Sequence, residues 1–223
     1  YNFSRTRSFN VNYRGNSTEP GFTQLQPVTD NSNKSYPVTG NPELDAEFSQ
    51  TLFIRYNNFD IKTGNVMFTN LYATYTQNKI VNNTIKSVDA TNGTIQETRY
   101  LNTDGYYTIN GFYNWSKPIS ERKYVFSING SANFNNNISF SDNVKNTGKN
   151  WVLSQGLNVQ INPTKWLEIN PGARYSFNSN TNDAFSTSNT KVSSWALNFN
   201  SKTYFLKTWL VGTDISKTEN RGY

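Results

Sequence analysis

The side chains that could do acid–base or metal chemistry are few in this sequence of 223 residues. The chain has no His and no Cys, 15 Asp and Glu, and 21 Lys and Arg. It therefore lacks an imidazole base, a thiol nucleophile, a disulfide and the usual ligands of zinc. The carboxylates lie mostly singly in predicted loops or near turns and lack the spacing of a calcium loop. They include Asp89, Glu97, Asp104, Asp142, Asp183, Glu121 and Glu168. We expect no catalytic, metal or cofactor site, and no enzyme.

The positive charge is spread too thinly to indicate a nucleic-acid partner. The net charge is +6, but Lys and Arg never form a run, whereas phosphate binding needs a dense basic stripe. A hydrophobic content of 35% and a mean hydropathy of -0.72 are poor for a conventional globular core. An aromatic content of 15% argues against a disordered chain. The composition therefore favours many strands that each carry apolar residues on one face.

Alternation with a period of two is the main local signal. From Tyr124 to Phe134 the even positions are apolar or small, and the odd positions are mostly Asn and Ser. Similar segments of about 10–13 residues are longer than soluble strands and suit a tilted barrel strand that crosses a bilayer. About nine are predicted, at roughly 2–13, 47–58, 66–77, 106–115, 124–134, 151–161, 167–175, 191–200 and 203–215. The predicted fold is all-β, an antiparallel up-and-down transmembrane β-barrel.

The segment 203–215 leaves its lipid-facing side open. One candidate set is Tyr204, Leu206 and Leu210, and the other is Phe205, Trp209 and Val211. Lys207 belongs to the second set, which argues mildly for the first set as the lipid face.

The predicted connections alternate in length. Tight turns are expected at 59–64, 117–123, 162–165 and 200–203, and long polar loops at 14–46, 78–105, 140–150 and 178–190. In an antiparallel sheet this order places every tight turn at one end and every long loop at the other. Outer-membrane barrels sort their connections in this way. The loops 78–105 and 178–190 are the candidates for ligand contact.

Aromatic side chains flank the predicted tight turns, where a girdle at the membrane interface would lie. They are Trp115, Tyr124, Trp166, Tyr204 and Trp209, with Phe205 beside them. The opposite face of the strands is dominated by Asn, Ser, Gln and Thr, as expected for a lumen filled with water. No stretch approaches the ~20 apolar residues of a membrane-spanning helix.

The first 60 residues also resemble a known family. The similar segments are Tyr13 to Pro20, Gln24 to Val28, Asp30 to Asn33, Gly40 to Leu44, and Glu47 with Phe48. They resemble the outer-membrane β-barrel family of Bacteroidota that is related to TonB-dependent receptors. In this chain Ala46 stands where the family form has Pro. We expect Asn41, Pro42, Leu44 and Glu47 to form the turn and cap that begin the next strand, because Asn favours turns and Pro fixes φ.

The resemblance implies a barrel of roughly twenty-two strands with an N-terminal plug. The plug and the closing strands are not within 1–223, so we expect the chain to be one segment of a larger barrel domain. The implied location is the bacterial outer membrane, with the long loops outside. The implied partners are outer-membrane lipid, a TonB-type energy-transducing protein, and a surface lipoprotein or other outer-membrane subunits.

Three functions remain open from the sequence. The first is a receptor and transporter of the TonB-dependent type, which captures a ligand with its long loops and passes it through a polar lumen. The second is a barrel subunit or scaffold of an outer-membrane assembly or secretion complex. The third is a soluble β-rich adhesin or glycan-binding protein, which would explain the polarity but neither the strand length nor the sorting of the loops.

Overall fold

The computed structural model describes residues 2–4, 6–89, 93–184, 188–205 and 209–222, and most of them are in strands. The elements are β1 (Asn2–Ser4), β2 (Arg7–Thr18), α1 (Phe22–Leu25), β3 (Thr29–Asp30), β4 (Val38–Thr39), β5 (Glu47–Phe59), β6 (Val66–Gln77), β7 (Lys79–Asp89), β8 (Gly93–Thr103), β9 (Tyr106–Ile119), β10 (Tyr124–Ser141), β11 (Val144–Thr164), β12 (Leu167–Asn182), β13 (Thr190–Phe205) and β14 (Trp209–Gly222). No helix in the described part of the chain is long and apolar enough to cross a membrane.

One antiparallel sheet runs through the whole molecule in the order β1-β2-β5-β6-β9-β10-β11-β12-β13-β14. Apart from the short β1, these are the nine long strands predicted from the sequence, and the all-β, antiparallel fold is confirmed. The sheet is open: in the described residues the outer edge of β14 has no partner strand, and β1 covers only the start of β2. Open edges of this kind are templates for pairing with further strands.

The strand register gives the sheet one apolar and one polar face. Ile128 of β10 lies opposite Trp115 of β9 and Leu157 of β11, and the apolar row continues to Ala173 of β12. We call this side the apolar face; its rows also contain Phe9, Val11, Leu52, Ile54, Leu71, Ile109, Phe134, Trp151, Leu153, Leu197 and Phe199. We call the opposite side, which is rich in Asn, Ser and Thr, the polar face.

The pairing of β13 with β14 shows which residues of the segment 203–215 lie on the apolar face. Thr203 pairs with Leu167 of β12 and with Val211 of β14, and Phe205, two residues farther along the same side of β13, pairs with Trp209. The set Phe205, Trp209 and Val211 therefore lies on the apolar face. The mild preference for Tyr204 and Leu210 was wrong, and Leu206 and Lys207 lie outside the described residues.

The tight turns were predicted with one clear error. Turns occur at 60–65 and 120–123 as expected, and the third shifts to 165–166 because β11 continues to Thr164. The predicted turn at 200–203 is wrong, since these residues lie inside β13 and pair with both β12 and β14. Asn200 shows why: its side chain donates to Asp214 Oδ1 at 2.7 Å, so a polar residue that favours turns is satisfied across the strands instead.

The predicted bounds of the long loops were largely wrong, because Asn-rich and Ser-rich segments continue the strands. The segment 140–150 is a tight hairpin in which only Asp142 and Asn143 lie outside the strands, both with positive φ as a two-residue hairpin turn requires. The segment 78–105 forms the β7–β8 hairpin, and β12 extends to Asn182. The predicted sorting of the connections holds only in part: the connection 19–46 and the β7–β8 hairpin lie at one end of the sheet, but the two-residue turn 142–143 lies at that same end. We call this end the hairpin end, and the end with the turns at 60–65, 120–123 and 165–166 the short-turn end.

Conventional burial is slight and belongs mainly to the hairpin end. The buried apolar side chains of the described residues are Leu44, Val81, Phe134 and Ile138. There β7 lies beside β10, with Asn83 opposite Phe140. Gly105, with φ of 103°, makes the bend between β8 and β9, and its carbonyl accepts a hydrogen bond from Asn136 Nδ2 at 2.6 Å. Most of the sheet therefore has no internal core on either face.

A tyrosine lies across a glycine in the middle of the apolar face. Gly130 of β10 lies between Tyr113 of β9 and Gln155 of β11. The Tyr113 ring covers Gly130, and its hydroxyl donates to Gln155 Oε1. Gln155 Nε2 in turn donates to the Asn129 carbonyl at 2.9 Å. The glycine makes room for the ring, and the ring lets two polar groups satisfy each other on an otherwise apolar surface.

We predict that Gly130→Ala lowers the free energy of unfolding by about 1–3 kcal/mol, as overpacking does. A Cβ at Gly130 would lie 2.6 Å from Cε1 of the Tyr113 ring. In a Tyr113→Ala background the same substitution should cost at least about 1 kcal/mol less, because the clash is gone. The measurement is urea unfolding of the refolded barrel, followed by the gel shift of the folded band. Gly212→Ala is the control, since its nearest contact is at 4.0 Å. Equal costs in both backgrounds would contradict the prediction.

Candidate functional site: the polar face and the hairpin end

The polar face is built from hydrogen-bonded pairs of small polar side chains. Ser49 pairs with Thr76 and Thr51 with Thr74, each with 3.0 Å between the hydroxyl oxygens. Farther along, Asn150 donates to Asn178 and Asn146 to Asn182, both at 3.2 Å. Cross-strand pairs of this kind stabilise a sheet while leaving further donors and acceptors for water. Neutral polar side chains therefore make this face hydrophilic, and it needs few charged residues to contact water.

The segment before β5 lies against the base of the β7–β8 hairpin. The Asn41 amide donates to the Gln24 carbonyl at 2.6 Å, and Asn41 Nδ2 donates to the Tyr100 carbonyl of β8 at 3.1 Å. Asn41 Oδ1 also accepts from the Glu43 amide at 2.9 Å, which makes a local turn. Leu44 is buried and Pro42 is exposed. This one asparagine thus joins the long connection, its own turn and the hairpin.

Glu47 is the first residue of β5 and holds the start of β7. Its carboxylate accepts from Lys79 Nζ and from the Ile80 amide, each at 2.9 Å. Beside it Asn102 accepts from the Asp45 amide at 2.8 Å and donates to the Asp45 and Asn78 carbonyls. We call Asn41, Asp45, Glu47, Lys79 and Asn102 the hairpin anchor. The roles predicted for Asn41, Pro42, Leu44 and Glu47 remain predictions, but Asn41 and Glu47 belong to the anchor.

The outer part of the hairpin is held by a second carboxylate. Strand β4 pairs with β8, and Glu97 Oε1 accepts from Thr39 Oγ1 at 2.7 Å. Arg99 donates to both oxygens of Glu97, at 3.0 and 2.9 Å. The hydrogen bonds from Arg99, and then from Thr39, lower the pKa of Glu97 below its ordinary value, and the pKa of Arg99 is raised by the same contact. The described part of the predicted ligand loop 78–105 is thus a pair of hydrogen-bonded strands rather than an irregular loop.

Other acidic residues of the hairpin end cap backbone amides. Asp104 accepts from the Asn78 amide at 2.9 Å, and Asp142 accepts from the Lys86 amide at 2.7 Å. In the residues that the structure describes, no three acidic side chains come together as a metal site would require. The second candidate ligand loop, 178–190, includes the end of β12, and residues 185–187 lie outside the described part.

Comparison with protein-family models decides what this sheet is. Residues 1–219 match the model described as an outer membrane protein beta-barrel family. The chain belongs to this outer-membrane barrel family. Membership gives the protein an outer-membrane location and a lipid environment, and it leaves the soluble adhesin without support. A search of curated proteins found no match.

Within this family the apolar face contacts lipid, and the predicted girdle residues can be placed on it. Trp115, Tyr124 and Trp209 lie on the apolar face toward the short-turn end, and Trp166 lies in the turn at 165–166. Tyr204 differs, because it pairs with Leu210 on the polar face. An aromatic ring on that side cannot contact lipid headgroups outside the sheet, so the girdle interpretation does not hold for Tyr204.

The barrel sheet also has a second aromatic band, toward the hairpin end, that the sequence analysis missed. The Phe134 ring contacts Tyr107 and Trp151, with centroids 5.4 and 4.3 Å apart. Tyr175 and Trp195 form a second ring pair, with centroids 4.7 Å apart, in a register row four positions closer to the short-turn end, which is an offset of the size that strand tilt introduces across three strands. These residues lie inside strand patterns rather than beside predicted turns. Only the cross-strand register shows that they form a band.

The two bands are separated by the thickness of a membrane. Phe134 lies ten positions after Tyr124 in β10, and Phe205 lies ten positions after Trp195 in β13. Ten strand residues span about 33 Å along the strand, or about 25 Å across the membrane at a tilt of ~40°. That is the height of the apolar zone expected between the two girdles of a barrel.

We predict that Glu47→Ala frees the β7–β8 hairpin, because Lys79 and the Ile80 amide both lose their acceptor. The local stability should fall by about 1–3 kcal/mol. The loss of local stability in Glu47→Gln should lie between those of the wild type and Glu47→Ala, since a side-chain oxygen can still accept from the Ile80 amide. The readout is hydrogen exchange of β7 and β8 amides in the purified protein. Glu219→Ala removes an exposed pair with Arg221 and is the control. Unchanged exchange in Glu47→Ala would contradict the anchor role.

We also predict that acid loosens the contact of β8 with β4. Because the pKa of Glu97 is lower in the folded protein than its ordinary value of 4.5, its ionised form stabilises the contact above that value. The stabilisation is lost as the pH falls through the lower folded pKa. Exchange of the β8 amides, corrected for intrinsic rates, should therefore increase below pH 4.5, whereas in Glu97→Gln it should be fast and independent of pH. A wild-type protein without this increase would disprove the prediction.

Proposed function

We propose that this chain is the wall of an outer-membrane receptor and transporter of the TonB-dependent type. The observation that carries the proposal is a barrel sheet with a hydrogen-bonding polar face that leads from the hairpin end to the short-turn end. In this proposal the hairpin end is extracellular and captures the ligand. The ligand then passes along the polar face, which lines the lumen. The chain carries out no catalysis.

The partners follow from this role. Outer-membrane transport against a gradient needs energy from elsewhere, so we propose coupling to a TonB-type protein. A surface lipoprotein at the hairpin end would assist capture, and the source proposed is a member of the Bacteroidota. The fixed β7–β8 hairpin supports a docking role, because its anchor holds it in place before any ligand arrives.

A second function, a scaffold in an outer-membrane assembly or secretion complex, remains the alternative, because membership of the family shows a barrel and leaves its role open. Co-purification of other membrane proteins in the absence of any ligand would support the scaffold over the transporter.

The orientation is tested with peptide tags in the full-length protein. A tag placed between residues 89 and 93 should bind antibody on intact cells, because the proposal puts the hairpin end outside. A tag in the turn at 120–123 should become accessible only after the outer membrane is permeabilised. The reversed pattern would reject the proposed orientation.

Transport is tested by deletion of the parent gene. We expect the deletion to abolish uptake of at least one compound, and deletion of the TonB-type gene to abolish uptake of the same compound. The measurement is accumulation of a panel of labelled compounds in both strains, with the complemented strain as control. Loss of no compound would reject the transporter and leave the scaffold.

A further inference from the structure

The polar face departs from its Asn, Ser and Thr pattern at four aromatic residues. Phe53 of β5 lies opposite Tyr72 of β6, while Phe68 of β6 and Phe112 of β9 occupy diagonal positions beside them. We call these four residues the aromatic quartet. All belong to the side opposite Leu52 and Leu71, so neither lipid contact nor the two interfacial bands accounts for them.

Two rings of the quartet support the other two. Phe53 stacks on Tyr72, with centroids 4.5 Å apart and 24° between the planes, and Phe68 meets Phe112 edge-on at 6.3 Å. The Arg55 guanidinium lies 5.1 Å from the Phe53 centroid, and Arg55 Nε donates to Asn70 Oδ1 at 3.1 Å. Phe53 is thus covered by its neighbours. Tyr72 and Phe112 remain 40% and 42% exposed, and their rings form an open platform.

Arginines stand at both sides of this platform. Arg14 lines a cleft of about 520 Å³ with Asn12, Thr51, Phe53 and Tyr72. Arg174 lines a second cleft of about 280 Å³ with Phe68, Phe112 and polar side chains that include Asn114 and Asn129. Within the described ranges, neither arginine, nor Arg55, has a carboxylate within ion-pair distance.

The carboxylates of the polar face, in contrast, are already engaged elsewhere. Glu47 holds Lys79 at the hairpin anchor. Glu168 accepts from Asn170 and Asp214 from Asn200, both toward the short-turn end. The centre of the face is therefore positively charged and aromatic, with amides and hydroxyls between the arginines. Its charge is complementary to an anion.

The combination selects one ligand chemistry. An exposed aromatic ring stacks on the apolar face of a pyranose, amides and hydroxyls hydrogen-bond sugar hydroxyls, and guanidinium binds carboxylate with two parallel hydrogen bonds. A neutral sugar would leave the arginines without a counterion. From β2 to β12 the path crosses six strand spacings, about 29 Å along the sheet, which is longer than a monosaccharide.

We infer that the polar face binds a carboxylate-bearing oligosaccharide, with Tyr72 and Phe112 stacking on its rings and Arg14 and Arg174 binding its carboxylates. Arg55 holds Phe53 in place and contributes positive charge. The inference rests on the proposed function, because it places the site on the path that a transported ligand would follow.

The test is calorimetric titration of the purified full-length protein with oligogalacturonate and with its methyl ester of the same length. Esterification removes the charge and keeps the rings. We expect binding of the acid to be at least tenfold tighter than binding of the ester, and to weaken with salt. No binding of the acid, or equal binding of acid and ester, would overturn the inference.

Substitutions separate the two kinds of contact. Arg14→Gln and Arg174→Gln should each weaken binding of the acid about tenfold and leave binding of the ester unchanged. Tyr72→Ala and Phe112→Ala should weaken binding of both ligands. Arg221→Gln and Phe22→Ala, both exposed and outside the quartet, are the matched controls. Each variant is first shown to give the heat-modifiable band of a folded barrel. Site variants that bind like the controls would place the ligand elsewhere and reject the assignment.

The outcomes also separate this site from the transport role. Binding of the acid together with normal uptake in the deletion strain would reject transport and keep the site. Loss of uptake in the deletion strain together with no binding of the acid would keep transport and reject the site.

Discussion

The structure depends on one constraint, which is that every backbone amide and carbonyl in the hydrocarbon layer must pair with a neighbouring strand. The long antiparallel ladders meet this requirement, and in doing so they fix the register. A shift of one residue between β10 and β11 would move Trp151 and Leu153 into the lumen and Asn150 and Ser154 into lipid. The two faces are therefore a consequence of backbone pairing and side-chain alternation acting together, with almost no conventional core.

Beyond the membrane the same ladders continue, but a different set of interactions holds them. At the hairpin end, carboxylates and asparagines accept and donate hydrogen bonds at the bases of β7 and β8, and Glu47 and Asn102 each hold more than one segment. This arrangement joins the long connection before β5 to a hairpin that lies some 30 to 60 residues later. Recognition surfaces on rigid supports lose less entropy on binding than free loops do.

The sequence predicted the fold class, the nine strands and most of the faces, because alternation with a period of two is a local property. The prediction failed at polar residues that are common in turns but can also be satisfied within a strand. Asn200 and the residues around Asp142 have the composition of turns or loops, yet most lie in strands because a partner across the sheet satisfies them. It also missed the band around Trp151 and the quartet around Phe53 and Tyr72. Each depends on residues from different strands, and alternation along one strand cannot show which rings become neighbours.

The ten-residue separation of the two aromatic bands sets the bilayer thickness that matches the sheet. A single helix can adjust to hydrophobic mismatch by changing its tilt, but a rigid antiparallel wall cannot. The lipid must therefore change its thickness next to the wall. In a bilayer thicker than the apolar zone, acyl chains next to Phe126 and Leu157 would have to compress, and the cost would extend around the perimeter. Proteins with equal bands share that cost when they cluster. The spacing of Tyr124 and Phe134 thus bears on where in the plane of the membrane the protein gathers, as well as on how it folds.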